Sequence, residues 1–118
     1  GSGFVARFAG RLINIHPSLL PAFPGLATHR QALAAGVRVH GATVHFVASE
    51  VDGGAIIAQA AIAVLADDGE ESLAARVLSR EHLLLPRCVR WLCEGRVALR
   101  DGRTVVGDLP SGALALLV

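Results

Sequence analysis

Asn14 and His16 stand two residues apart in the run Leu12-Ile13-Asn14-Ile15-His16-Pro17. In an extended strand successive side chains point to opposite faces, so Asn14 and His16 share one face and Ile13 and Ile15 take the other. Pro17 has no N–H to give a ladder and ends the strand where the polar pair appears. In open α/β sheets ligands sit beyond the carboxyl ends of strands. An amide donor beside an imidazole that exchanges protons near neutral pH is equipment for an active site. The same spacing also fits a buried, mutually satisfied His–Asn pair, because histidine is often merely packed and hydrogen-bonded.

A second candidate is the polar turn Ala48-Ser49-Glu50-Val51-Asp52-Gly53-Gly54, whose glycines permit positive φ and close backbone approach to a ligand. Asp52 also reads as an ordinary turn-former in Asp-Gly-Gly. His29 reads as a surface or helix-start residue, His45 as a core or sheet-face residue, and His82 as part of an Arg-Glu-His helix face. Their spacing does not suit a metal site, and none is expected. Cys88 and Cys93 fit neither a Cys-x-x-Cys nor a zinc pattern and read as free core thiols in a reducing compartment.

The elements that must position these residues follow from punctuation and period. Phe4 and Phe8 lie on one helical face before Gly10, and the strand Arg11–His16 follows. Pro17, Pro21, Pro24 and Gly25 enclose Leu19, Leu20 and Phe23 in an ordered loop that would wall the space beside His16. Thr28 is placed to cap a helix from His29 to Ala35 that ends at Gly36. Residues 40–47 form a strand with Thr43, His45 and Val47 on one face. Residues 55–64 form another, or two pieces bent at Ala60-Ala61. The acidic cluster Asp67–Ser72 opens the longest helix, which runs to Gly95 with a kink expected at Pro86. Asp101-Gly102 joins two short strands in a hairpin. The Gly- and Leu-rich tail is expected to be ordered only if docked.

At 118 residues and 53% hydrophobic, the chain is long enough for one domain with a core. Its net charge of +1 and scattered arginines give no electrostatic footprint for nucleic acid. No stretch reads as a secretory signal or a membrane span, and a cytoplasmic location is expected. The chain has no methionine, so a segment is expected to precede Gly1 or to have been cut away.

The run Asn14–Pro21, with Phe23-Pro24-Gly25-Leu26, Thr28-His29, His40-Gly41, residues 43–47, Val51-Asp52-Gly53-Gly54, Gln59, Arg76-Val77 and Glu81-His82, resembles the phosphoribosylglycinamide formyltransferases. The resemblance covers about Phe4 to Arg103. It implies an α/β fold, the carboxy-terminal part of a formyltransferase-type, Rossmann-like domain with a mixed sheet, a long helix and a terminal β-hairpin. Residues 1–106 would be that portion and 107–118 a tail. The implied activity is transfer of a formyl group from 10-formyltetrahydrofolate to the amine of glycinamide ribonucleotide in purine biosynthesis.

By the same resemblance, Asn14 donates to the formyl oxygen, His16 as imidazolium stabilises the oxyanion and passes a proton to the leaving folate nitrogen, and Asp52 favours the charged imidazole. Ala48, Ser49, Glu50, Val51 and Asp52 match the folate-binding loop. Leu78, Ser79, Arg80 and Glu81 match the turn that contacts the ribonucleotide, although Glu81 also reads as a solvated helix carboxylate. The family's amino-terminal half, with its phosphate loop, is absent, so the expected partners are small-molecule substrates and that half, or self-association. Methionyl-tRNA formyltransferase, formyltetrahydrofolate deformylase and an inactive half-domain are the alternatives. Pro17–Leu20 and Gly25–His29 favour the glycinamide enzyme.

Overall fold

The computed structural model describes residues 2–48 and 53–116. It is an α/β structure in which a four-stranded mixed sheet carries one long helix on a face. β1 (Ile13–His16), β2 (Val39–Phe46) and β3 (Ile56–Ala63) are successive antiparallel neighbours, and β4 (Ala115–Leu116) pairs parallel with β3. A separate hairpin joins Val97–Arg100 to Arg103–Val106. Its turn residues Asp101 and Gly102 both have positive φ, 51° and 73°, the backbone that a two-residue hairpin with native twist requires.

Alternation sorts the sheet into two unlike faces. Ile13 and Ile15 pair across β2 with Phe46 and Val44, whereas Asn14 and His16 pair with His45 and Thr43. The first set belongs to the core. Its members pack with Ala58 and Ala60 of β3 beneath Leu84, Cys88 and Trp91 of the helix α3 (Glu70–Cys93). Leu73 and Val77, one turn apart on the same helix, pack on Ala42 and Ile62. The small alanines of β2 and β3 let the helix lie close to the sheet.

α3 continues as one assigned helix through Pro86. The proline ring forfeits the hydrogen bond to the His82 carbonyl one turn earlier. The helix begins at a charged corner. Asp68 accepts from both guanidinium nitrogens of Arg76, at 2.6 and 2.9 Å, and from the Leu65 N–H at 2.7 Å, while Arg76 also reaches the Ala63 carbonyl. These bonds hold the Asp68 carboxyl well below the usual carboxylate range, with the arginine the largest cause. They lock the exit of β3 to the first turns of α3.

Two expectations change in detail, at α1 and at the start of α2, and two that were open, at β3 and the tail, are decided. The helix α1 covers Ser2–Arg7, with the Phe4 and Phe8 rings 4.7 Å apart. β3 is one strand, and the irregularity in its pairing falls instead at Val44/His45 of β2. The helix α2 (Thr28–Ala35) has Ala27 at its N-cap, in the left-handed region, and Thr28 does not cap it. The Thr28 hydroxyl donates instead to the Pro17 carbonyl at 2.6 Å, because the loop returns beneath the end of β1 and offers a buried acceptor there. The tail docks: the Gln59 N–H bonds the Leu114 carbonyl at 2.9 Å, and β4 covers the outer edge of β3. β1, at the other side of the sheet, has among the described residues a strand partner on one side only.

Candidate active site

β1 brings Asn14 and His16 to its carboxyl end as alternate residues, Asn14 exposed and His16 buried. The chain then reverses at Pro17 and folds back. The Ser18 N–H bonds the His16 carbonyl at 2.9 Å, the Ser18 hydroxyl donates to the Ala22 carbonyl at 2.6 Å, and the Ala22 N–H bonds the Leu19 carbonyl at 2.9 Å. These contacts make the proline-rich segment a compact wall. It returns the Phe23 carbonyl to within 3.0 Å of His16 Nε2. A carbonyl can only accept, so the bond places the hydrogen on Nε2. A cleft of about 420 Å³ opens beside His16, lined by Pro17, Gly25–Thr28 and His29.

Two features of this end of the sheet had no sequence signal of their own. His29 Nδ1 lies 3.1 Å from Nε2 of buried His40, an imidazole pair assembled from α2 and β2. Burial, followed by the charges of His29 and His16, pushes His40 down to about 4, and burial also lowers His29. Burial thus favours the neutral form of both rings. The second feature is a neutral network around Thr43 and Gln59, described below. His45, opposite Asn14, is buried with Nδ1 2.9 Å from the Phe46 carbonyl, and its Nε2 has no hydrogen-bond partner among the described residues.

Of the other expected site residues, Ser49, Glu50, Val51 and Asp52 lie outside the described residues. Ala48 lines a second cleft of about 420 Å³ with Phe46, Val47, Gly54, Ala55 and Leu99. Gly54, at φ 110°, lies so close to the Phe46 carbonyl that any Cβ would collide with it. Leu78, Ser79, Arg80 and Glu81 form one turn of α3. Leu78 and Glu81 line a further cleft of about 460 Å³ with Ile15, His82, Leu85 and Pro86, which runs along the β1 side of the helix. Burial raises the Glu81 carboxyl, and the nearby charges of His82 and His16 oppose that shift. Ile15 of β1 shares that cleft with Leu78 and Glu81, which brings β1 and the α3 turn into one region.

Among the described residues there is no group of three or more His, Cys, Asp or Glu that could hold a metal ion, and no helix long and apolar enough to cross a membrane. Cys88 is buried as expected and its thiol is pushed up to about 12, which keeps it protonated and unreactive, whereas Cys93, also expected in the core, is exposed at the last residue of α3.

Comparison with known proteins places these elements. The chain is 51% identical over 98 residues to the phosphoribosylglycinamide formyltransferase of Escherichia coli, a match covering 83% of this chain and 46% of that protein. It therefore spans about half the length of the curated relative. A crystal structure of the phosphoribosylglycinamide formyltransferase from Anaplasma phagocytophilum superposes with a TM-score of 0.91 at 42% identity, over 99% of this chain and 57% of that one. A formyltetrahydrofolate deformylase from Pseudomonas syringae superposes with a TM-score of 0.85 at 37% identity, over 91% of this chain and 36% of that one. The family model described as formyl transferase matches residues 1–89, from α1 through β1, its loop, β2 and β3 and on into α3. The elements that build the site are those of the match, and the chain belongs to the formyl transferase family.

Proposed function

We propose that this chain supplies the carboxy-terminal half of a folate-dependent transfer site, one that moves the formyl group of 10-formyltetrahydrofolate to the amine of glycinamide ribonucleotide in purine biosynthesis. The observation that carries the reading is the Asn14 and His16 pair at the end of β1, inside the stretch matched by the family. The choice of acceptor is supported by the identity with the E. coli protein of that name. The free thiols of Cys88 and Cys93 suit a cytoplasmic setting.

Attack of the amine nitrogen on the formyl carbon makes a tetrahedral centre whose oxygen takes the charge. Collapse then breaks the bond to the folate nitrogen, which must leave with a proton. Asn14 serves the oxygen with a carboxamide N–H, where a donor is worth most as charge develops. His16, as imidazolium, stabilises that oxyanion and delivers the proton to the leaving nitrogen. Asp52 favours the charged imidazole and helps remove the amine's protons. The pterin ring would be held by backbone groups of the Ala48–Asp52 loop, next to the largely apolar cleft of Phe46, Val47 and Leu99. The ribonucleotide would lie along Leu78–Glu81, with the Glu81 carboxylate accepting from ribose hydroxyls.

The side of β1 that no strand covers among the described residues, and the greater length of the relatives, support a second contribution to the site from an amino-terminal half. The test is formyl transfer by the purified chain, with and without the amino-terminal half of the E. coli relative. Activity should be slight for the chain alone, which is expected to be marginally stable or self-associated, and substantially restored by the added half. Full activity from the chain alone would refute the half-site reading. The likeness to a deformylase motivates one competing outcome: formate released from the donor without any amine acceptor would replace transfer by hydrolysis.

A further inference from the structure

Gln59 is a polar residue of β3 to which the proposed chemistry gives no task, and its amide is committed to a loop. Nε2 donates to the Leu20 carbonyl at 2.9 Å and to Thr43 Oγ1 at 3.0 Å. Thr43 Oγ1 donates to the Ser18 carbonyl at 2.8 Å and accepts the Leu20 N–H at 3.0 Å. One amide and one hydroxyl therefore grip both ends of Ser18–Leu20. Thr43 is also the cross-strand neighbour of both His16 and Gln59, so the grip lies directly beside the imidazole. The gripped segment leads through Ala22 to Phe23, which adopts φ 51° and turns its carbonyl to His16 Nε2 at 3.0 Å.

We propose that Gln59 is a positioning residue for His16: by holding the Leu20 carbonyl and the Thr43 hydroxyl, it keeps the Phe23 carbonyl against Nε2 and the imidazole in its Nε2–H form. Without the Gln59 amide, the Leu20 carbonyl loses its side-chain donor and the segment is free to shift, and a reacting group misplaced by about 1 Å can cost on the order of 10²-fold. The inference rests on the reading of His16 as the proton carrier of formyl transfer, but the tautomer is a property of the chain that is measurable without turnover.

Long-range proton–nitrogen correlation spectra of the histidine-labelled chain at mildly alkaline pH read the tautomers directly. The unmodified chain should show His16 as Nε2–H and His45 as Nδ1–H, the latter set by the Phe46 carbonyl. Gln59→Met preserves side-chain length and removes the donor. It should shift His16 toward a mixture of tautomers and leave His45 unchanged. Supplied with the amino-terminal half of the E. coli relative, the variant should lose on the order of 10-fold in kcat, with KM within about 2-fold. An Nδ1–H His16 in the unmodified chain overturns the proposal, whether or not the variant folds. Unchanged His16 signals in a folded Gln59→Met, or a loss confined to KM, overturn it as well. If the unmodified protein transfers no formyl group in any form, the functional reading fails, and the tautomer comparison still decides what Gln59 does to His16.

Discussion

Around Thr43 and Gln59 the hydrogen-bonding groups are neutral, Thr43 and Ser18 are fully covered, and the partners lie on a loop far away in sequence. Around Asp68 and Arg76 the groups are charged, the guanidinium is about a third exposed, and the partners lie within thirteen residues. Both clusters tie a connection to the sheet, but they differ in what water can replace. At the Asp68 corner the carboxylate is covered, but solvent reaches the guanidinium and Asp68 also accepts from the Leu65 N–H and the Ser72 hydroxyl, so no single partner carries the cluster, a brace for α3. Beneath the 17–24 loop both bonds of the Thr43 hydroxyl to Ser18 and Leu20 are buried, and a missing donor there leaves a covered acceptor unpaired. Geometry near His16 is therefore far more sensitive to a single atom than geometry at the helix start.

The largest expected effect breaks the site and spares the scaffold. His16→Ala, assayed with the complementing half, should lose at least about 10²-fold in turnover, the usual range for a positioned acid or base. Near-normal turnover would remove His16 from the mechanism. Asn14→Ala should lower kcat more than donor affinity, because its hydrogen bond strengthens as the oxyanion forms. An effect on KM alone would reduce Asn14 to a binding role.

Next in size is the buried network. Thr43→Val keeps the shape but strands the Ser18 carbonyl and the Leu20 N–H, and should destabilise the fold by about 1–3 kcal/mol in denaturant titrations. A change within the error of the titration would show that water fills the gap and would erase the contrast between the two clusters.

Acid separates the regions by where stability is lost. His40 is pushed down to about 4 in the folded chain, below the ordinary histidine value of 6.5. Between those values the unfolded chain binds a proton that the native chain refuses, so stability rises with pH across that window and falls on acidification through it. Replacing His40 with a residue that does not titrate should flatten this limb; a persistent slope would assign it to another group.

The smallest effect belongs to the charged corner. The lowered Asp68 carboxyl contributes stability that is complete above the ordinary carboxylate value and is lost as pH falls below it toward the folded value. Arg76→Met should shallow that acid limb and slightly lower the midpoint at neutral pH, with kcat unchanged. A fall in kcat as large as that of His16→Ala would show that the brace and the site are one unit.

Much of this was legible in the chain as written. The alternation of Ile13 and Ile15 with Asn14 and His16, the glycine after α2, the apolar spacing of Leu73, Val77, Leu84, Cys88 and Trp91, and the Asp101-Gly102 turn all depend on neighbours within a few residues. Strand pleat, helical period and turn sterics are local, so residue types suffice to read them. The reading of residues 48–52 as a folate loop rests on resemblance alone, and residues 49–52 lie outside the described structure. Tertiary structure alone decided that Thr28 serves the Pro17 carbonyl instead of capping its helix, that His29 meets His40, and that Gln59 and Thr43 grip the loop beside His16. Those bonds span 11 to 39 residues of chain. Each exists because a buried carbonyl or ring nitrogen had to find a partner once the loop was folded against the sheet, a demand created by burial and invisible in any window of sequence.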